Sequence, residues 1–204
     1  GKPDNIVEKM LQGKINKIFE DVTLLKQKFV MDQSISIEDY LNSLKTRISV
    51  KKIDSFSITR ISQLTKKTNQ FNLTTKRYSE NDITNINNRP ESYVYYLSVS
   101  DSVGDYGIVG VFIGIEKDNG IEIDTFLISC RVIGRDVELG FLGKLVQYLR
   151  KTGKKHLIGK YIPTRKNKII ENFYENAGFS YYKEGAWIKS LDEKFEIPEW
   201  LKID

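Results

Sequence analysis

The chain has 204 residues, 40% of them hydrophobic and 29% charged, with 14 Gly and 4 Pro, a composition for one ordinary globular domain plus an appendage. One Cys and one His exclude an internal disulfide, a thiolate zinc site and a two-histidine mechanism, and no metal site is expected. The net charge is +5, and the longest near-continuous apolar run, 107–115, is about half of a membrane span, so the chain is expected in the cytoplasm without membrane or secretory segments.

Val7, Leu11, Ile15, Ile18, Val22, Leu25 and Phe29 recur at steps of four and three, which predicts one helix over 5–31. Ser36 and Asp39 form an S-x-x-D start signal before Tyr40, Leu41 and Leu44, which predicts a second helix. Residues 1–45 are thus expected as a helical extension, either a linker or a lid, and 46–204 as the main domain. Ile48 and Val50 alternate as in a strand, and 59–67 reads as a short helix. The polar run TNQFNLTTKRYS, 68–79, fits neither period. Three β-branched segments follow, 93–100, 108–115 and 121–130, joined by turn signals into an antiparallel meander. Val137, Phe141, Leu145 and Leu149 predict a helix over 136–151, stopped at Gly153. A strand at 156–162, a helix at 167–176 and a strand at 181–188 complete an α/β chain with a mixed, mostly antiparallel sheet.

The junction FLISCRVIGRDVELGFL, 126–142, is the most informative stretch. A buried strand enters a tight turn and then a helix, whose free N–H groups and positive dipole end can cradle an anion. Gly134 permits close backbone approach. Between Leu139 and Ile170 there is no acidic residue but nine basic ones, either a solvated face or a docking surface for an acidic partner. Asp101 and Asp105 read as turn formers, and His156 as structural.

Arg131-x-x-Gly134 after a meander strand, followed by helix, strand and N-x-x-x-x-x-F-Y-E-N-A-G-F at 167–179, resembles the GNAT acyltransferase fold. Three further stretches, RISQLTKKTNQFNLTTKRYS, DSVGDYGIVGV and IDTFLISCRVIGRDVE, resemble the C-terminal domain of FkbH-like proteins, enzymes with an N-terminal phosphatase half of the haloacid-dehalogenase type. The phosphatase signature is absent from this chain.

The resemblance implies transfer of a glyceryl or related small acyl group. The group would pass through an enzyme thioester to the phosphopantetheine thiol of an acyl carrier protein, in polyketide-type biosynthesis. It implies carrier-borne phosphopantetheine or coenzyme A as the thiol, and the carrier protein and the phosphatase half as partners. It places the pantetheine arm along Ile128 and Ser129, the phosphate at Arg131, Gly134 and Arg135, and a further contact at Asn167. Cys130, the sole thiol, becomes the candidate nucleophile, since a thiol beside an arginine near a helix start favours the thiolate. It is equally a small buried residue by strand parity. Tyr174 is the candidate acid for the departing thiol or a core residue. Asn69, Gln70 and Asn72 either bind the acyl hydroxyls or cap turns. Asp136, a carboxylate where many such loops have a small residue, argues against the pyrophosphate of free coenzyme A. A non-catalytic carrier-docking module and an acetyl-CoA-dependent N-acetyltransferase remain alternatives; nucleic-acid binding is not expected.

Overall fold

The computed structural model describes residues 8, 11, 12, 14, 23–183 and 185–204. The helix expected over 5–31 lies largely outside these residues. From Thr23 onward the chain departs from it, with a 3₁₀ turn at Leu24–Lys26 and then a small hairpin of β1 (Lys28–Phe29) and β2 (Asp32–Ser36). Leu25 and Phe29 continued the helical stripe in sequence, but local chemistry favours the hairpin. Asp32 accepts hydrogen bonds from the backbone and hydroxyl of Ser34, and the Phe29 ring stacks on Tyr40 at 4.0 Å. The helix α1 (Ile37–Leu44) follows, and its Ser36–Asp39 capping box forms as the spacing predicts.

The remaining elements build one sheet with helices on both faces. In chain order they are β3 (Arg47–Lys52), α2 (Ile58–Lys67), β4 (Phe71–Asn72), α3 (Glu80–Asn87), β5 (Ser92–Ser100), β6 (Asp105–Lys117), β7 (Gly120–Ile128), α4 (Val137–Arg150), β8 (His156–Lys160), α5 (Phe173–Asn176), β9 (Ser180–Lys183), β10 (Ala186–Ser190) and β11 (Lys202–Ile203). The sheet order is β11-β3-β5-β6-β7-β8-β10-β9, with β4 added to the end of β7. Pairing is antiparallel except for β7 with β8 and β11 with β3.

One face buries Phe112, Phe126, Phe141, Leu145 and Tyr174 beneath α4 and α5. The other buries Ile61, Leu64, Ile83, Val111 and Leu127 beneath α2 and α3. Every strand of the β5–β7 meander is therefore covered on both sides, which explains its unbroken apolar runs.

Two expectations need correction, and one helix has no counterpart among them. The helix expected over 167–176 is a 3₁₀ turn at Lys168–Ile170 and the single turn of α5, because Asn167 is tied into the neighbouring loop. The last strand is broken into the β9–β10 hairpin, next to Gly185 at φ +66. Helix α3 was not anticipated, although Ser79 and Asp82 form the same capping box as Ser36 and Asp39. No described helix is long and apolar enough to cross a membrane.

Candidate functional site

The parallel strands β7 and β8 pair only over Gly120–Glu122 and His156–Ile158, then separate. A crevice beyond the carboxyl ends of adjacent parallel strands is where ligands bind in α/β sheets. Here the opening is filled by the chain itself. Phe71 and Asn72 pair antiparallel with Ile128 and Leu127, and the Leu73 N–H donates to the Phe126 carbonyl at 3.1 Å. On the far side the Ile162 N–H donates to the Leu73 carbonyl at 2.8 Å. The Thr74 hydroxyl donates to the Asp124 carbonyl at 2.7 Å. Phe71, Asn72, Leu73 and Thr74 are all buried.

This insertion changes the standing of several candidate residues. Ile128, expected along the pantetheine arm, is wholly buried, with Gly110 on one side and Phe71 on the other. The Ser129 N–H is taken by the Val109 carbonyl. Asn167, expected to touch the arm, is wholly buried. Its amide donates to the Asn72 and Ile162 carbonyls at 2.9 and 3.0 Å, while its oxygen accepts from the Thr164 N–H and hydroxyl. It brackets the inserted strand instead of facing an open groove. Asn72 is likewise internal: its amide donates to Thr68 O and its oxygen accepts from Thr75 N. Asn69 accepts from Arg77, and only Gln70 of the amide trio is exposed. The turn-capping alternative thus describes Asn69 and Asn72, because a buried amide must find its partners within the loop. Residues that fit an extended thioester arm would leave the β7 edge free; these do not.

Tyr174 is also placed in the core. It is 1% exposed, its hydroxyl sits 3.4 Å from the Lys160 carbonyl, and burial pushes its hydroxyl far above the ordinary phenol range. The ring lies on Gly159, stacked against Trp187 at 5.5 Å. A general acid must reach the departing atom, and this hydroxyl is enclosed.

The strand-to-helix turn has a different character. Cys130 is exposed, because the chain leaves β7 after Ile128 and enters a 3₁₀ turn at Cys130–Val132, where strand parity no longer applies. Arg131 is exposed beside it and donates to the Tyr106 carbonyl at 3.1 Å. Gly134 adopts φ +84. Arg135 forms an ion pair with the buried Asp101 and lies over the Tyr106 ring at 4.8 Å. Burial works against the Asp101 carboxylate, but N–H donors from Val103 and Gly104 and the Arg135 charge hold its pKa below the ordinary value. Asp101 is therefore more than a turn former, and Arg135 is committed to it.

At the start of α4, Asp136 takes φ +56 and makes no side-chain cap. Burial raises its pKa. Glu138 is pushed up to about 7 by burial, to which Asp136 adds, against a lowering by its own N–H. Two carboxyls therefore stand at the helix start that the sequence suggested as an anion cradle.

One cluster escaped the sequence analysis. Asp124 is the extra residue of a β-bulge in β7, between the Ile123–Gly114 and Thr125–Ile113 pairs. Its carboxylate receives the Tyr78 hydroxyl at 2.6 Å and an ion pair from Lys76, beside a cavity of about 220 Å³. These groups lie 46 and 48 residues apart, and periodicity carries no signal for a bulge.

Residues 1–63 match the family model for Elongation factor TS. Elongation factor Ts of Syntrophobacter fumaroxidans is 53% identical over 53 residues, 26% of each chain. That of Geotalea uraniireducens is 40% identical over 62 residues, 28% of this chain and 29% of its own. The chain thus spans little more than a quarter of these curated relatives. A helical stripe carries no family information, so periodicity could not reveal this likeness.

The solved structures that resemble the chain share its fold. Ribosomal-protein-S18-alanine N-acetyltransferase of Escherichia coli aligns with TM-score 0.53 at 12% identity, covering 74% of this chain and 97% of its own. A GNAT-family acetyltransferase of Staphylococcus aureus aligns with TM-score 0.55 at 12% identity, covering 71% and 99%. PaiA N-acetyltransferase of Thermoplasma acidophilum, solved with coenzyme A, aligns with TM-score 0.52 at 13% identity, covering 73% and 99%. With its meander, its diverging parallel pair and the turn into α4, the chain carries a domain of the GNAT acetyltransferase fold.

Proposed function

We propose that this domain transfers a glyceryl or related small acyl group between an enzyme thioester and the phosphopantetheine thiol of an acyl carrier protein, as the C-terminal half of an FkbH-like enzyme. The observation that carries the reading is Cys130, exposed at the carboxyl end of β7 with Arg131 beside it. Its thiolate attacks the acyl carbonyl, a new C–S bond forms as the donor's bond breaks, and the departing group takes up a proton. The carrier's thiol then repeats the exchange in the opposite direction, and Cys130 is regenerated.

Two of the same-fold structures are N-acetyltransferases, one of them solved with coenzyme A, so acyl transfer is chemistry this fold can host. The filled opening between β7 and β8 weighs against free acetyl-CoA as donor. Arg165, Lys166 and Lys168 are exposed, and no described residue forms an ion pair with them. Ile162 and Ile169 are exposed in the same loop, which gives a basic and apolar face for an acidic carrier.

The test mixes the chain with a carrier bearing glyceryl-pantetheine and reads intact masses, with Cys130→Ala as control. A glyceryl adduct on the parent and none on the variant is the expected outcome. Carrier binding without an adduct on either protein refutes the nucleophile. It selects a docking module, the second reading, which the filled opening and the internally satisfied amides favour.

A further inference from the structure

We infer that Phe71–Leu73 is a built-in occupant of the crevice between β7 and β8, held by Asn167, and that it makes the domain refuse coenzyme A and its acyl esters. The opening lies where adjacent parallel strands diverge at their carboxyl ends, the general position for ligands in such sheets. An extended ligand there must satisfy the free edge of β7. In this chain that edge is already satisfied by backbone, through the Phe71–Ile128 and Asn72–Leu127 pairs and the Leu73 N–H on Phe126 O. The opposite lip is closed as well, through Ile162 N–H on Leu73 O.

The occupant is anchored at both ends. Before it, Arg77 donates to the Thr65 and Thr68 carbonyls and to the Asn69 side chain, locking the loop that leads in from α2. Beside it, Asn167 spans from the Asn72 carbonyl to the Ile162 carbonyl, so one side chain ties the inserted strand to the segment after β8. Thr164 orients that side chain through two hydrogen bonds, from its N–H at 2.7 Å and its hydroxyl at 3.0 Å.

The apolar side of the insert is equally committed. Phe71 packs edge-on to Phe173 at 5.2 Å and tilted against Phe126 at 6.2 Å, and Leu73 is wholly buried. Expelling the insert would strand several buried backbone groups and expose two large apolar side chains. Each stranded group and each exposed side chain adds to the cost of opening. A ligand would have to exceed that sum before gaining any affinity. The consequence is specificity: thioester chemistry on this domain takes place outside the crevice, on a thiol such as Cys130 that the surface presents.

The experiment titrates the full chain with coenzyme A and with acetyl-CoA by calorimetry, and follows amide hydrogen exchange by mass spectrometry. The expected result is no saturable binding below about 1 mM, with the Leu73 and Ile162 amides as protected as those of β5 and β6. In Asn167→Ala, exchange across 71–73 should rise at least about tenfold while β5 and β6 keep their protection. Should that variant not fold, Thr164→Ala tests the same bracket with only one hydroxyl removed. Binding of either thiol ligand with a Kd below about 100 μM would overturn the inference, as would a Leu73 amide that exchanges like a surface loop. Unchanged protection of 71–73 in both variants would remove Asn167 from it. Because free coenzyme A and amide exchange are the readouts, the outcome is independent of whether Cys130 accepts an acyl group.

Discussion

Glu138 stands in the first turn of α4, where the helix dipole favours a negative charge, yet its surroundings favour the neutral acid. Its Oε2 is buried without a hydrogen-bond partner among the described residues. Burial, with Asp136 close by, raises it from 4.5 to about 7. Between these values the folded chain holds a proton that the unfolded chain has released, so stability falls as pH rises through that window. Glu138→Gln removes the titration. Relative to the parent, the variant is expected to gain about 1–3 kcal/mol at pH 8 and little at pH 4, read as urea midpoints at each pH. An equal change at both pH values would mean that packing, not charge, sets the effect. Asp101 is the contrasting case: a carboxylate kept ionised because Arg135 and two backbone N–H groups reach it.

Strand β8 shows how a single glycine decides where a ring can lie. Gly159 has no side chain, and the Tyr174 ring occupies the space: an added Cβ would come within 2.2 Å of that ring. Gly159→Ala must therefore displace Tyr174 or the strand, and overpacking of this kind costs about 1–3 kcal/mol. The expected result is a loss of that size in the urea midpoint, together with a change in near-ultraviolet circular dichroism from the Tyr174–Trp187 stack. A silent substitution would show that the ring is free to move, and would return Tyr174 to the list of candidate acids. The strand β4 makes the same point for a polar segment. Its residues read as irregular, because a two-residue strand has no period, yet it is buried and fully paired.

At the scale of the whole molecule, the C-terminal tail closes the fold. Leu201 packs over Gly140, Ile197 and Phe195 pack over Gly143, and Trp200 donates to the Arg135 carbonyl at 3.3 Å. Strand β11 then adds to the edge of β3, 155 residues earlier in the chain. Both glycines lie on α4, and an added Cβ would meet the tail at 2.7 Å from Gly140 and at 2.6 Å from Gly143. Deleting 194–204 exposes this seam. With the buried Leu201 lost at about 2 kcal/mol and the half-buried Phe195, Ile197 and Trp200 at about 1 kcal/mol each, a destabilisation of about 5 kcal/mol is expected in equilibrium unfolding. A cost below about 1 kcal/mol would show that the tail only rests on α4.

Elements whose signals are local are readable from the sequence. The Ser36–Asp39 cap, the β5–β7 meander with its turn at 118–120, helix α4 and the resemblance carried by Arg131, Gly134 and 167–179 are all legible, because each depends on neighbours a few residues apart. The α/β class followed from their order. Tertiary structure alone decided which side chains face a site. Asn72 and Asn167 are 95 residues apart and meet at the inserted strand; Arg135 and Asp101 are 34 apart and neutralise each other. Cys130 is exposed because the ladder ends two residues before it. The physical reason is common to all three. Burial and pairing are set by what the rest of the chain brings to a position, and an amide, an arginine or a thiol reads the same in sequence whether it meets solvent, a ligand or its own fold.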